Sequence, residues 1–170
     1  MKHRSYWLEL CSPGDLRPAA FAIDGVTLAQ VRGSDYERGR TLWTEVGRGF
    51  WSERQEWSPA HWQSHLDDAN TWFGVAALNS EDIGFFELTR EGAEVKLEGF
   101  GLLPAWRARG LGAGLLSVAT RQAFALDARR IWLHTATDDH PHALPNYRAR
   151  GYRVYREEAL EHPMPDKAGV

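Results

Sequence analysis

The stretch Leu102–Phe124, LLPAWRARGLGAGLLSVATRQAF, constrains this chain more than any other segment. An apolar run ends there in two arginines and three alternate glycines, just where helical spacing begins. Glycine lets the backbone turn tightly and carries no Cβ, so the orphan N–H groups of a helix's first turn can point at an anion. The helix dipole adds roughly half a positive charge at that end, and Arg107 and Arg109 add full ones. Gly110, Gly112 and Gly114 therefore read as an anion-binding loop. A nucleotide P-loop needs a Lys after its glycines, and none follows here; the dinucleotide fingerprint needs G-x-G-x-x-G in an early βαβ unit. This loop reads G-x-G-x-G and lies past the middle of the chain.

Periodicity and turn chemistry place elements around the loop. Val26–Val31 reads as a first strand, followed by a helix capped by Ser34 and running to about Val46. Residues 47–57 read as a loop, and Ser58-Pro59 opens a short helix to about Leu66. Asn70–Leu78, Ile83–Arg90 and Glu94–Leu103 are strand-like with tight polar connections, which predicts an antiparallel meander. The glycine loop then starts a helix to about Leu126, whose apolar stripe includes Leu111, Leu115, Ala119 and Ala123. Arg130–Thr135 follows as a strand and completes a βαβ unit. Pro141–Arg150 is expected to be helical, capped by Asp139 or His140 and stopped by Gly151, with Tyr152–Glu158 as a closing strand. The expectation is an α/β (α+β) fold with a mixed central sheet. It spans residues 1–170 as a single domain with a core of about 26–158, an arm over 1–18 and a frayed tail over 160–170.

Two motifs carry a family resemblance. Arg107-x-x-Gly110-x-Gly112 resembles the acetyl-CoA loop, [RQ]-x-x-G-x-[GA], of the GNAT acyltransferase superfamily. Downstream, Ala143-Leu-Pro-Asn-Tyr147-Arg-Ala-Arg-Gly151-Tyr152 matches that superfamily's A-x-x-x-Y-x-x-x-G-[FY] in register. The wording FGLLP and HPHALPNYRARGY also resembles a bacterial GNAT subfamily with no settled substrate. The resemblance implies that the fourth and fifth strands counted from Val26, Glu94–Leu103 and Arg130–Thr135, splay apart, and that the pantetheine arm of acetyl-CoA lies in the gap. By the same resemblance the backbone of Gly101, Leu102 and Leu103 pairs with pantetheine, and an N–H there polarises the thioester carbonyl. Pro104 ends the pairing because it lacks an N–H. The loop residues Arg107, Arg109, Gly110, Leu111, Gly112, Ala113 and Gly114 take the pyrophosphate. Asn146 reaches pantetheine, and His140 stands where the family pattern usually has Asn.

Acyl transfer from a thioester to an amine needs a polarised carbonyl, a neutral amine and a proton for the departing thiolate. Tyr147 matches the family's general acid; a phenol with a pKa near 10 is protonated at neutral pH. The alternative for Tyr147 is packing alone. The base is open between three groups. Glu98 lies where several GNAT enzymes carry a catalytic carboxylate. Glu87 sits in the apolar context FFEL, where burial would raise its pKa. His134 ends the fifth strand and could act directly or through water. Each of the three could equally be structural. His134, Asp138, Asp139, His140 and His142 cluster in sequence but span a strand end, a loop and a helix start with no cysteine, so they read as structural and no metal is expected.

A formal charge of −3 lacks the basic excess of a nucleic-acid binder, and no apolar run approaches the ~20 residues that span a bilayer. The start of the chain has no apolar segment of a secretory signal, and Cys11 is the only cysteine, so the cytoplasm is the expected compartment. Of the eight tryptophans, Trp43, Trp51, Trp57, Trp62 and Trp72 fall close together; they are read either as core or as an aromatic wall for the acceptor. The resulting expectation is an acetyl-CoA-dependent N-acetyltransferase working by direct attack, with acetyl-CoA as co-substrate. The acceptor is a small-molecule amine, a protein N-terminus or a lysine, and a homodimer is left open. The alternative is a non-catalytic module that binds acyl-CoA as a sensor or assembly partner.

Overall fold

The computed structural model describes residues 3–159. Among them, seven strands form one sheet in the order β2-β3-β4-β5-β6-β1-β7. In chain order these are β1 (Arg4–Leu10), β2 (Val26–Val31), β3 (Thr71–Leu78), β4 (Glu81–Glu91), β5 (Glu94–Leu102), β6 (Arg130–Ala136) and β7 (Arg153–Ala159). Every neighbouring pair is antiparallel except β5 and β6, which run parallel on either side of the glycine-loop helix. The expected mixed sheet, meander and βαβ unit are all present.

The alternation of side chains across each strand feeds two cores, one per face. Phe73, Val75 and Phe85 turn to the face covered by α1 (Tyr36–Gly47) and α2 (Pro59–Asp67), where they meet Leu42, Trp43, Trp62 and Leu66. Ala76, Phe86 and Leu88 turn to the other face, under Leu115, Leu116 and Ala119 of α3 (Gly112–Ala125) and Tyr147 of α4 (Ala143–Ala149). Covered on both sides, β3 reads as a nearly unbroken apolar run, TWFGVAAL. Ser58 caps α2 as its position predicts, accepting from the His61 N–H at 3.1 Å. At the β3–β4 turn Asn79 and Ser80 both take positive φ, 51° and 65°, the conformation a two-residue hairpin of that handedness demands.

Several expectations need correction. The described part of the expected arm over 1–18 is not an arm: Arg4–Leu10 is β1, seated between β6 and β7 with Leu8 and Leu10 buried. Tyr6, Leu8 and Leu10 alternate toward the core, but Trp7 breaks the apolar/polar contrast and the run is too short a signal to read as a strand. Ser34 does not cap α1; Gly33–Asp35 forms a 3-10 turn and the helix begins at Tyr36. Neither Asp139 nor His140 caps α4, which starts two residues later behind His142. Gly151, at φ 103°, does end that helix. The expected tail over 160–170 lies outside the described residues.

Candidate active site

β5 and β6 pair at only three positions, Glu94 with Arg130, Val95 with Ile131 and Lys96 with Trp132. Beyond Lys96 they part, and Leu97–Leu102 continues to pair with β4 alone. The divergence coincides with a β-bulge: Leu97 faces Leu88 and Gly99 faces Glu87, which leaves Glu98 as the extra residue. A bulge bends and twists its strand and re-aims the flanking side chains. The expected splay is therefore present, with its physical cause beside it.

The ladder decides which backbone groups face the gap. Leu103 donates its N–H to the Ile83 carbonyl at 2.9 Å. Residues of an antiparallel strand alternate in the direction of their N–H and C=O, so Gly101 also turns toward β4, while Phe100 and Leu102 turn to the gap. This corrects the expectation for Gly101 and Leu103, whose amides are committed to the sheet. On the gap side the Leu102 carbonyl accepts from Arg107 Nε at 3.2 Å. A second donor of the same guanidinium reaches the Val46 carbonyl at 3.0 Å, in the last turn of α1 where cations are favoured. Burial pushes the Arg107 pKa below its ordinary value. Arg107 thus ties α1 to the end of β5 as well as lining the gap.

The glycines of the loop serve more than one purpose. Gly110 takes φ 74°, which its lack of a Cβ permits. A Cβ on Gly114 would lie 2.8 Å from the Phe21 backbone, so this glycine makes room for the chain itself rather than for a ligand. At Gly112 the nearest neighbours of such a Cβ, Asn146 Nδ2 and Leu102 Cδ1, are at 3.7 and 3.9 Å, and this residue lines the gap. No side chain caps α3, so the N–H groups of Gly112, Ala113 and Gly114 keep their first-turn donors unpaired. Leu111 is fully buried in the core, and Arg109 lies over the Trp106 ring at 4.9 Å. Asn146 donates to the Gly112 carbonyl at 3.2 Å and joins α4 to α3.

Two cavities meet at the gap. The first runs along Gly101 and Leu102 to Arg107, Gly112, His140 and Asn146. The second has an aromatic wall of Trp43, Phe50 and Trp51 and a polar wall that includes Glu53, Glu98, His134 and Asp138. Trp43 is core and wall at once, Trp51 is wall, Trp57 and Trp62 pack in the core of that face, and Trp72 packs against the core on the opposite face. Tyr147 lines both cavities and is only 8% exposed. Burial, with the Asp139 and Tyr152 charges behind it, pushes its phenol pKa well above the ordinary value, so the hydroxyl keeps its proton. His134 packs against Trp7 at 4.7 Å, and burial holds its pKa below the usual imidazole value. For His140 burial acts first, then Arg107 and His142, in the same direction.

The carboxylate candidates separate. Glu98 lies in the second cavity with Lys96 Nζ at 3.0 Å. Glu87 is fully buried and reaches neither cavity. Arg54 grips it with two bonds of 2.7 and 2.9 Å, and His65 Nε2 lies 2.6 Å from Oε1. Burial works to raise its pKa, but these bonds outweigh it and the net direction is down. The expected upward shift of Glu87 is thus reversed. Arg54 was missed by sequence reasoning because it falls in a segment with no periodicity, 33 residues from its partner. Among the described residues no three His, Cys, Asp or Glu side chains are placed to hold a metal ion, and no helix is long and apolar enough to cross a membrane.

A splayed β5–β6 pair, an uncapped helix over the gap and a buried tyrosine across it give the sheet and helix arrangement of a GNAT-like fold. The chain belongs to the acetyltransferase (GNAT) family, whose pattern matches residues 36–152. No curated protein matches it. A solved GCN5-related N-acetyltransferase from Sphaerobacter thermophilus superposes with a TM-score of 0.72 at 18% identity, over 93% of this chain and 50% of that one. Another from Kribbella flavida gives 0.63 at 23%, over 95% of this chain and 61% of that one. An aminoglycoside acetyltransferase from an uncultured soil metagenomic sample gives 0.63 at 21%, over 83% and 98%. The chain thus spans about three fifths of the Kribbella protein and half of the Sphaerobacter protein.

Proposed function

We propose that this protein transfers the acetyl group of acetyl-CoA to a primary amine by direct attack of the amine on the thioester. The observation that carries the reading is the meeting of two cavities at Tyr147, one along the open edge of β5 and one walled by aromatic and acidic side chains. In this reading pantetheine pairs with the gap-facing amides of Phe100 and Leu102, and the pyrophosphate sits at the uncapped start of α3, where the dipole favours it. The amine enters through the second cavity, so that binding alone brings both reactants together. Tyr147 delivers the proton to the departing thiolate. The proton leaving the amine goes to a group on the polar wall, which Glu98, His134 and Asp139 all line and which Glu87 does not reach.

Free CoA release, measured across a panel of amines, tests the activity. For a productive amine, Tyr147→Phe is expected to lower kcat by about 10- to 1000-fold, with little change in acetyl-CoA affinity. Full activity in that variant would move proton delivery elsewhere. Acetyl-CoA binding with no turnover of any amine would instead identify a binding module.

A further inference from the structure

The two cavities share only Phe50, Trp51, Phe100, Asp139 and Tyr147. A bond formed between a group held in one cavity and a group held in the other forms along this wall. Two of the five can exchange a proton, Tyr147 as donor and Asp139 as acceptor. Resting on the acetyltransferase reading, we propose that Asp139 is the general base that receives the proton of the attacking amine.

The carboxylate is held for that task. Its Oδ2 accepts from the Ala136 N–H at 2.9 Å and from the hydroxyl of Thr135, itself buried. Among the described residues Oδ1 takes no hydrogen bond, so one oxygen is anchored and the other is left for a ligand. The remaining charged groups around it are worse placed. Across the second cavity, Glu98 is held by Lys96, Arg54 is a cation paired with Glu87, His134 packs on Trp7, and Glu53 and Asp138 line that cavity alone. Across the first stand Arg107, His140 and His142, none of which carries an anionic oxygen.

The step balances with these two groups. The amine, having lost one proton to solvent, uses its nitrogen lone pair to form the C–N bond at the thioester carbonyl carbon. The C–S bond breaks and its electron pair leaves on sulfur. One N–H proton passes to Asp139 Oδ1, and the Tyr147 phenol gives its proton to the thiolate. Burial and the neighbouring Asp139 charge disfavour a lasting phenolate, so the proton gained by Asp139 returns to Tyr147 through cavity water. Amide and CoA thiol depart, and both side chains are restored.

Asp139→Asn tests this, because the amide oxygen can still accept from Ala136 and keep the turn. kcat is expected to fall by about 10²- to 10⁴-fold, with part of the loss recovered at high pH and the acetyl-CoA thermal shift intact. Glu98→Gln tests the competing assignment: a loss of kcat recovered at high pH in that variant, and not in Asp139→Asn, would make Glu98 the base and overturn the proposal. The double variant Asp139→Asn/Tyr147→Phe should lose little more than the worse single one, as groups in one relay do. A wild-type pH profile and kcat in Asp139→Asn, or full additivity in the double variant, overturns the assignment while leaving the acetyltransferase reading standing. Absence of turnover by the wild type with every amine overturns both.

Discussion

Glu87 shows how a single residue's surroundings can reverse the effect of its burial. A carboxylate removed from water resists ionisation, yet a bidentate Arg54 and a bond to His65 more than offset that resistance. Arg54 is itself held over the Trp43 ring at 3.7 Å and the Trp57 ring at 4.5 Å, so its charge has a fixed place. Removing one partner leaves an uncompensated buried charge, and Arg54→Met is expected to lower stability by about 3–5 kcal/mol, read by urea denaturation. Adding Glu87→Leu should restore much of that loss, since an apolar pair of similar volume is often neutral. The pH dependence has a definite sign. With the folded pKa of Glu87 held below the ordinary 4.5, its contribution is complete above the unfolded value and is lost as pH falls through the folded one. Glu87→Gln should therefore lack that part of the acid destabilisation below about pH 4.5; an unchanged acid limb would show that the pairing contributes nothing. The context FFEL made the burial of Glu87 legible. The sign was not, because both partners come from outside its strand: Arg54 from an irregular segment and His65 from α2.

Elements explain what the glycine loop does better than its residues do. The alternate glycines and the helix they open are plain in the sequence, and so is the strand before them. The division of labour among the glycines is not, because Phe21 and Ala22 reach the loop from a segment with no readable periodicity. At Gly112 a new Cβ meets only ordinary contacts, at 3.7 and 3.9 Å. Gly112→Ala should therefore leave apo stability unchanged or raise it by about 0.4–1 kcal/mol through the unfolded state. Gly112→Asp should also fold, while placing a negative charge where the pyrophosphate is proposed to sit and abolishing the thermal shift by acetyl-CoA. Gly114→Ala is expected to do the opposite: its Cβ would lie 2.8 Å from Phe21 backbone, an overpacking that costs about 1–3 kcal/mol. An undiminished shift in Gly112→Asp would remove the anion site from this loop. The bulge at Glu98 follows the same logic at the level of a strand. Strict alternation along β5 would put Glu98 on one face with Phe100 and Leu102, and only the register against β4 reveals Glu98 as the extra residue where the gap opens.

At the scale of the whole molecule the two ends of the described chain close the sheet together. β1 lies between β6 and β7, so the last strand reaches the sheet only through the first. Glu9 on β1 is gripped by Arg130 of β6 at 2.7 Å and by Arg153 of β7 at 2.7 Å, which links all three strands through one carboxylate. The segment after β1 returns across the molecule as well: Arg17 donates to the Arg150 carbonyl at 2.9 Å, and Ala19 donates to Ser117 Oγ at 2.9 Å. Meander, glycine helix and tyrosine motif were legible because each is local in sequence, whereas β1 has meaning only beside strands more than a hundred residues away. If residues 1–18 were a dispensable arm, their deletion would leave the fold intact. The packing argues otherwise. Leu8 is fully buried, and Leu8→Ala alone should lower stability by about 2–5 kcal/mol in urea denaturation. A domain of ordinary stability holds about 5–15 kcal/mol in total, and the deletion removes Leu8, Leu10, Glu9 and the pairing of β7 together. The chain from residue 19 onward is thus expected to lose its cooperative thermal transition and the near-UV circular dichroism of its packed tryptophans. A cooperative melt of that shortened chain at the wild-type temperature would show that β3, β4, β5 and β6 with their helices suffice, and that β1 only decorates them.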